Sequence, residues 1–182
     1  SQVAALALQL FDATRTLHQL AAADRELLEY AALLHDIGYH ISHHSHHKHG
    51  LYLIKHADLR GFTSEEIAIL ANVVRYHRGS LPKPSHADFM ALSPADRQRV
   101  RILAALLRLA EGLDRSHNQN VRALHVHLEP DRLRLHLETK SDPELEIWGG
   151  QRSADLFTQT FGLAVEVTAQ VQQPLLETPA GA

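Results

Sequence analysis

Carboxylate side chains lie where the helical period of the sequence requires apolar residues. In the segment 94–114, Asp114 falls on the stripe that contains Leu107, and Glu111 lies one helical turn after Leu107. A buried carboxylate without a partner is costly, so each of these groups must be paired or bound to a cation. An Arg at helical spacing is one possible partner, and a metal ion is the other.

Two other helical segments also end in His or carboxylate side chains. His77 ends the apolar stripe that passes through Val74, and His35 and Asp36 directly follow Leu34. A single His on an apolar face is commonly a hydrogen-bonded core residue. Three helices that bring His or carboxylate groups to one interior favour a second interpretation, a divalent metal that activates water.

Histidine is unusually abundant, with 15 residues in the chain. Six of them fall within ten positions: His40, His43, His44, His46, His47 and His49. Such tracts can bind transition metals without being specific sites. The alternative is that one or two of the six are specific ligands.

Composition excludes several classes of protein. The 182 residues are 45% hydrophobic and 21% charged, which is typical of a globular protein. Without Cys, disulfides and thiolate chemistry are excluded. No apolar run suggests a membrane span, and a net charge of −3 without a basic stripe argues against nucleic-acid binding. A start at Ser1 without a signal segment favours a cytoplasmic protein or a piece of a longer chain.

Residues 1–118 are expected to form a helical domain. Asp24 is the expected N-cap of the second helix, Thr63 and Glu66 form a capping box before the fourth, and 79–94 is expected to be a long loop. The expected helices are Val3 to His18, Arg25 to Asp36, Ser45 to His56, Ser64 to His77 and Pro94 to Asp114.

Residues 119–182 are expected to form a small α+β subdomain. Alternation over Val121 to Leu128 and Arg132 to Glu138, around a turn at Pro130, predicts an antiparallel hairpin. Leu145 to Trp148 is a possible further strand, and a helix from Ser153 to Gly162 precedes another alternating stretch. The tail after Gln173 is expected to be frayed. The fold class is therefore α+β.

Three short motifs resemble the HD superfamily of metal-dependent phosphohydrolases. The segment from Leu33 to Gly38 is similar to its signature, and His46 with Gly50 is similar to its second His element. Ala110 to Asp114 resembles the closing acidic element, with Glu111 where Asp is usual. The resemblance implies an HD-like helical lobe.

A longer series of stretches resembles the C-terminal portion of the exopolyphosphatase / guanosine pentaphosphate phosphohydrolase family. These stretches are 35–38, 47–54, 61–63, 74–78, 109–115 and 144–148, with Phe157, Phe161 and Gly162. In that family the catalytic groups lie in two actin-like lobes that precede this region, so no catalytic residue is expected here. The resemblance implies a domain that lengthens a polyphosphate channel and builds a homodimer.

Two sets of site residues are expected, metal ligands from helical period and the resemblance, and a polyanion track from basic residues beside them. Ligands for a divalent metal (Mg, Mn or another transition metal) are His35, Asp36, His46, His77, Glu111 and Asp114. The site is expected to be incomplete, because the first His of an HD domain would precede Ser1 and His18 is the only substitute. A track for polyphosphate or a guanosine polyphosphate would use Lys48, Arg75, Arg78 and Arg115, which could alternatively be solvated surface charges.

Three functions follow from these patterns. The first is an accessory domain of an exopolyphosphatase-like hydrolase, which binds the polyanion without hydrolysing it. The second is a metal-dependent HD phosphohydrolase for nucleotides or other phosphate esters. The third is a structural or dimerising module whose polar groups pair internally.

Overall fold

The structure, a computed structural model, describes residues 1–172 and confirms the α+β class. Its strands all follow residue 120. The helices are α1 Gln2–Ala13, α2 Arg15–His18, α3 Ala22–Leu34, α4 His46–His56, α5 Ser64–Arg75, α6 Ala87–Met90, α7 Pro94–Leu113, α8 Glu144–Arg152 and α9 Asp155–Phe161, with a 3-10 helix at Ile37–His40. The strands are β1 Val121–Leu128, β2 Arg132–Thr139 and β3 Ala164–Val171.

The first helix is interrupted, whereas a single helix was expected from Val3 to His18. Thr14 leaves the helical conformation, at φ −105° and ψ 12°, and its hydroxyl donates to the Leu10 carbonyl at 2.6 Å. The Thr14 N–H donates to the same carbonyl, and a hydroxyl that bonds back by four residues in this way bends a helix, so the break between α1 and α2 falls here.

Asp24 is not the N-cap of α3, because the helix begins two residues before it. Its carboxylate accepts from the Ala21 N–H at 3.0 Å and from Arg99 of α7 at 2.7 Å. The Asp24 side chain therefore satisfies an N-terminal backbone N–H from within the first turn of α3, and it also links α3 to α7.

The start of α5 agrees with the sequence. Thr63 and Glu66 form the expected capping box, with both bonds at 3.1 Å. The expected loop 79–94 contains the short helix α6, which buries Phe89 against Tyr76. An isolated four-residue helix has no periodicity that a sequence could reveal.

Helix α7 is the central element of the core. Ser93 caps it by accepting from the Asp96 N–H, with Pro94 in the first turn. It packs against α1, α3, α5, α8 and α9. The buried hydrophobic cluster therefore includes residues from both sides of position 118. The division of the chain at that position stays a prediction.

The sheet is mixed, whereas an antiparallel sheet was expected. Strands β1 and β2 form the expected hairpin, in which His125 pairs with His136. Strand β3 lies parallel to β2, with Val167 opposite Leu135, so the order is β1-β2-β3. Helices α8 and α9 make the crossover that a parallel pair requires.

The stretch Leu145 to Trp148 lies in α8 and is not a strand. Its apparent alternation covers too few residues to separate a strand from a helix. Helix α9 agrees with the expectation and ends at Gly162, which adopts φ +70°. The tail after Gln173 lies outside the described residues. Within residues 1–172, no helix is long and apolar enough to span a membrane.

Candidate functional site

Three neighbouring elements bring the candidate ligands together. Asp36 follows α3, His46 begins α4 and His77 follows α5. Glycines allow the close approach: a Cβ on Gly38 would overlap the His46 carbonyl, and one on Gly50 would lie 2.8 Å from Val74 Cγ1. The small residues therefore set how closely the 3-10 helix, α4 and α5 pack.

Asp36, His46 and His77 form a compact cluster. Their candidate ligand atoms all lie within 4.8 Å of one another, the sole such group of three within residues 1–172. His46 Nε2 lies 3.0 Å from His77 Nε2 and 3.4 Å from Asp36 Oδ1. Metal–nitrogen bonds of roughly 2.0–2.1 Å place two nitrogens on one ion about 3 Å apart. The spacing therefore fits one shared ion.

The tautomer of His77 is fixed by its surroundings. Its Nδ1 lies 2.5 Å from the Val74 carbonyl, which can only accept, so Nδ1 carries the proton. Burial lowers the pKa of His77 well below its usual value, with a contribution from the charge of His35. The ring is therefore neutral at pH 7, and its Nε2 lone pair faces the cluster, as metal ligation requires.

His46 is held by stacking. Its ring lies on the Tyr39 ring at a centroid distance of 4.0 Å and is almost fully buried. Burial lowers the pKa of His46, and the nearby Arg78 lowers it further. Two neutral imidazoles and a carboxylate suit a transition metal better than Mg²⁺, which prefers oxygen ligands. The cluster could therefore hold such an ion.

His35 lies at the edge of the cluster. Its Nδ1 donates to the Ala32 carbonyl at 2.6 Å, and its Nε2 lies 3.2 Å from Asp36 Oδ2. Burial disfavours the charged ring, but the contact with Asp36 outweighs it and raises the pKa of His35. His35 therefore contacts one ligand of the trio and orients the Asp36 carboxylate.

The two carboxylates of α7 lie in different places. Glu111 is buried, lies 3.6 Å from Arg115 and lines the same cleft as His77. Asp114 caps α7 among His117, Gln119 and Glu146, and burial raises its pKa. The structure thus brings Glu111 towards the His residues but not Asp114, whose role as a ligand stays a prediction.

A basic cleft of about 470 Å³ opens beside the cluster. It is lined by His77, Arg78, Gly79, Arg108, Glu111, Arg115, Trp148, Gly149, Arg152, Ser153 and Asp155. Arg78 and Arg115 were expected here from the sequence. Among residues 1–172, neither Arg78 nor Arg152 forms an ion pair, so both guanidinium groups are available to an anion.

Arg108 fixes the wall of this basic cleft. Its guanidinium donates to the carbonyls of Tyr76 and Gly79, both at 3.0 Å, and to the Asp155 carboxylate. Its charge is therefore already compensated, and its contribution is to hold the turn that carries His77.

Lys48 and Arg75 lie outside the basic cleft but close to its edge. His47 borders Gly79, and a Cβ there would lie 2.9 Å from His47 Nε2. Burial lowers the pKa of His47 to about 4, aided by the charges of His46, Arg78, Lys48 and Arg75. Three of the four predicted basic residues, Lys48, Arg75 and Arg78, therefore lie close to His47.

Sequence reasoning missed Arg108, Trp148 and Arg152. Arg108 carried one signal, since it interrupts the apolar run 102–110 of α7. Trp148 is the single Trp of the chain, but it was placed in a strand. Trp148 reaches the cleft because it lies in helix α8, which packs against α7.

Comparison with known proteins agrees with the family resemblance. Residues 1–146 match the family model described as "Ppx/GppA phosphatase, domain III". Two similar proteins are named guanosine-5'-triphosphate,3'-diphosphate pyrophosphatase. The protein of Pseudoalteromonas translucida is 31% identical over 104 residues, which are 57% of this chain and 21% of that protein. The protein of Pseudoalteromonas atlantica is 33% identical over 110 residues, 60% of this chain and 21% of that protein.

The chain therefore spans about a fifth of the length of these curated relatives. The family expected from the motifs is confirmed, because the matching model covers most of the chain. The chain belongs to the Ppx/GppA phosphatase family, in which it corresponds to domain III.

Proposed function

We propose that this chain is the accessory domain of an exopolyphosphatase-like hydrolase and binds polyphosphate or guanosine polyphosphates. The observation that carries the proposal is the basic cleft, where Arg78, Arg115 and Arg152 line one cavity. The whole chain has a net charge of −3, so this positive charge is local. Guanidinium groups match the geometry of phosphate oxygens, which makes the cleft suited to a polyanion.

The neighbouring basic region extends the same argument. Lys48 and Arg75 do not line the basic cleft, but both lie close enough to His47, which borders Gly79 of that cleft, to lower its pKa. A chain of phosphates that leaves the cleft past Arg78 would meet these two charges next. Catalytic groups are assigned in this proposal to N-terminal lobes of the parent chain, as the family resemblance implies.

Calorimetric titration with tripolyphosphate and with long-chain polyphosphate tests the binding. With about three phosphate contacts, the affinity should fall about 20- to 40-fold between roughly 50 and 200 mM salt. The double variant Arg78→Ala with Arg152→Ala should weaken binding about tenfold or more.

The matched control is Arg60→Ala, because the Arg60 side chain is 92% exposed and lies outside the cleft. It should bind like the parent chain. Affinity that is insensitive to salt, or equal losses in both variants, would contradict the proposal.

A metal-dependent phosphohydrolase is the second candidate, favoured by the cluster of Asp36, His46 and His77. A divalent metal there would supply a water of lowered pKa close to phosphates in the basic cleft. The test is elemental analysis after the chain has been stripped and refilled with Mn²⁺ or Zn²⁺. Retention of about one equivalent, lost in His77→Ala, together with phosphate release, supports this candidate. Less than one equivalent counts against it.

The remaining parts of the proposal concern assembly and location. We propose an HD-like character for the helical part, a homodimer in the parent protein and a cytoplasmic location. Sedimentation of the chain over a range of concentrations tests the dimer. A chain that stays monomeric at all concentrations would contradict the dimer. If that chain also binds no polyphosphate, the third function, a structural or dimerising module, loses its dimerising role too.

A further inference from the structure

Trp148 separates two cavities of opposite character. It lines the basic cleft of about 470 Å³ and also a neighbouring cavity of about 390 Å³. The side chain belongs to α8 and is 48% exposed. Nearly half of the Trp148 side chain is therefore left uncovered by the packing of the chain, between the two cavities.

Glycines determine where this ring lies. A Cβ on Gly149 would overlap the Gly112 carbonyl oxygen and would lie 2.9 Å from Arg115 Cβ. Helix α8 therefore crosses α7 in direct backbone contact, which larger residues would prevent. The crossing places Trp148 beside the last turn of α7, close to Arg115.

Two arginines accompany the ring on the side of the basic cleft. The guanidinium carbons of Arg115 and Arg152 lie 5.6 Å and 5.4 Å from the Trp148 ring centre. These cation–π contacts hold the ring in place while the guanidinium edges can still donate to an anion. Phosphates bound here would lie directly beside the Trp148 ring.

The second cavity is unsuited to phosphate. Hydroxyl, amide and carboxylate groups line it, at Ser116, Asn118, Asn120, Ser141, Asp142, Glu144 and Glu146 together with Leu145. Three carboxylates repel a polyanion, but they can accept hydrogen bonds from ring or exocyclic N–H groups. The lining suits a neutral ring that carries donors, such as a purine base.

We infer that Trp148 is the stacking platform for the base of a nucleoside polyphosphate whose phosphates lie among Arg78, Arg115 and Arg152. The inference rests on the proposed function and narrows its ligand from any polyanion to a nucleotide. Every base has a π face that can stack on Trp, and arginine beside the stack contributes a further attraction. A linear polyphosphate would leave the ring and the second cavity unused.

Comparison of GTP with tripolyphosphate tests the inference, because the two ligands have similar charge and differ in the nucleoside. GTP should quench the fluorescence of Trp148, which is the chain's single Trp. By calorimetry, GTP should bind about tenfold more tightly than tripolyphosphate. Trp148→Ala should abolish that difference, and Trp148→Phe should keep most of it.

The control variant is Tyr52→Ala, an exposed aromatic of α4 that contacts His56 and lies outside both cavities. It should leave both affinities unchanged. Equal binding of GTP and tripolyphosphate by the parent chain overturns the inference and leaves the proposed function standing. An equal loss of affinity for both ligands in Trp148→Ala also overturns the inference, because it would show that the ring only positions the arginines. Binding of neither ligand would remove the proposed function itself.

Discussion

At the scale of residues, Arg108 is the group on which the position of His77 depends. It is almost fully buried, and its two carbonyl partners lie on either side of His77 and Arg78. Removal of the guanidinium would leave the buried Tyr76 carbonyl without its donor, a loss of about 1–3 kcal/mol, whereas water in the cleft can reach the partly buried Gly79 carbonyl.

Replacement of Arg108 by Ala should therefore lower the free energy of unfolding by about 2–4 kcal/mol, since packing is lost as well. Urea denaturation monitored by circular dichroism measures the change. The exposed variant Arg60→Ala should stay within about 0.5 kcal/mol of the parent chain. A difference of that small size for Arg108→Ala would show that water replaces the guanidinium.

The candidate site could be predicted in part from its residues. Helical period and motif identified His77, Asp36 and His46, because a polar group on an apolar stripe is visible in one dimension. The separation of Asp114 from these groups was not visible. It depends on where α7 ends and on the neighbours that Asp114 meets there, namely Gln119 and Glu146.

At the scale of elements, the crossing of α7 and α8 shapes the basic cleft. Gly112 and Gly149 meet without side chains, and Gly150 faces Leu113 and Val167. Three glycines in helical segments lower intrinsic helix stability by about 1 kcal/mol each. The close contact compensates that cost, because it lets both helices bury their facing surfaces.

Gly149→Ala should destabilise the protein despite the better helix propensity of Ala. The gain of about 1 kcal/mol is outweighed by overpacking against rigid backbone, typically about 1–3 kcal/mol and occasionally more. Thermal unfolding should show a lower midpoint, and tripolyphosphate affinity should fall as Arg115 and Trp148 move. Leu145→Ala, an exposed change on the same helix, is the control. An unchanged midpoint for Gly149→Ala would mean that the crossing relaxes freely.

The elements themselves were predictable where the local signal was strong. The start of α5 follows from its capping box, and helix α7 and the hairpin β1–β2 follow from periodicity. The helix α8 and the parallel position of β3 do not, since a short stretch such as Glu144–Trp148 fits two periods. Only the burial of Gly149 and Gly150 against α7 and β3 decides between them.

At the scale of the whole molecule, neutral buried histidines make stability depend on pH. Burial lowers the pKa values of five histidines in the folded chain, His18, His46, His47, His77 and His86, whereas that of His35 is raised. Below the ordinary pKa of about 6.5 the unfolded chain therefore binds more protons than the folded chain at five of these histidines and fewer at one.

Stability should accordingly fall as the pH is lowered from about 7.5 towards about 4, the pKa of His47. Urea denaturation at pH 7.5, 6.0 and 5.0 measures the slope. His18→Gln should reduce the slope, because Gln does not titrate in this range. The variant should still fold, since Gln can donate to the Phe11 carbonyl that His18 contacts at 2.9 Å. A stability that is constant or rises over this range would show that the raised pKa of His35 dominates.

The walls of the basic cleft come from both sides of residue 118, with Arg108 and Glu111 on one side and Trp148 and Asp155 on the other. A molecule held there can bind only while both halves of the chain are folded. By mass action, a ligand present at a hundred times its dissociation constant adds about 2.7 kcal/mol to the free energy of unfolding of both halves together. A ligand bound in the cleft should therefore raise the unfolding temperature, and the helices and the sheet should unfold together in one transition.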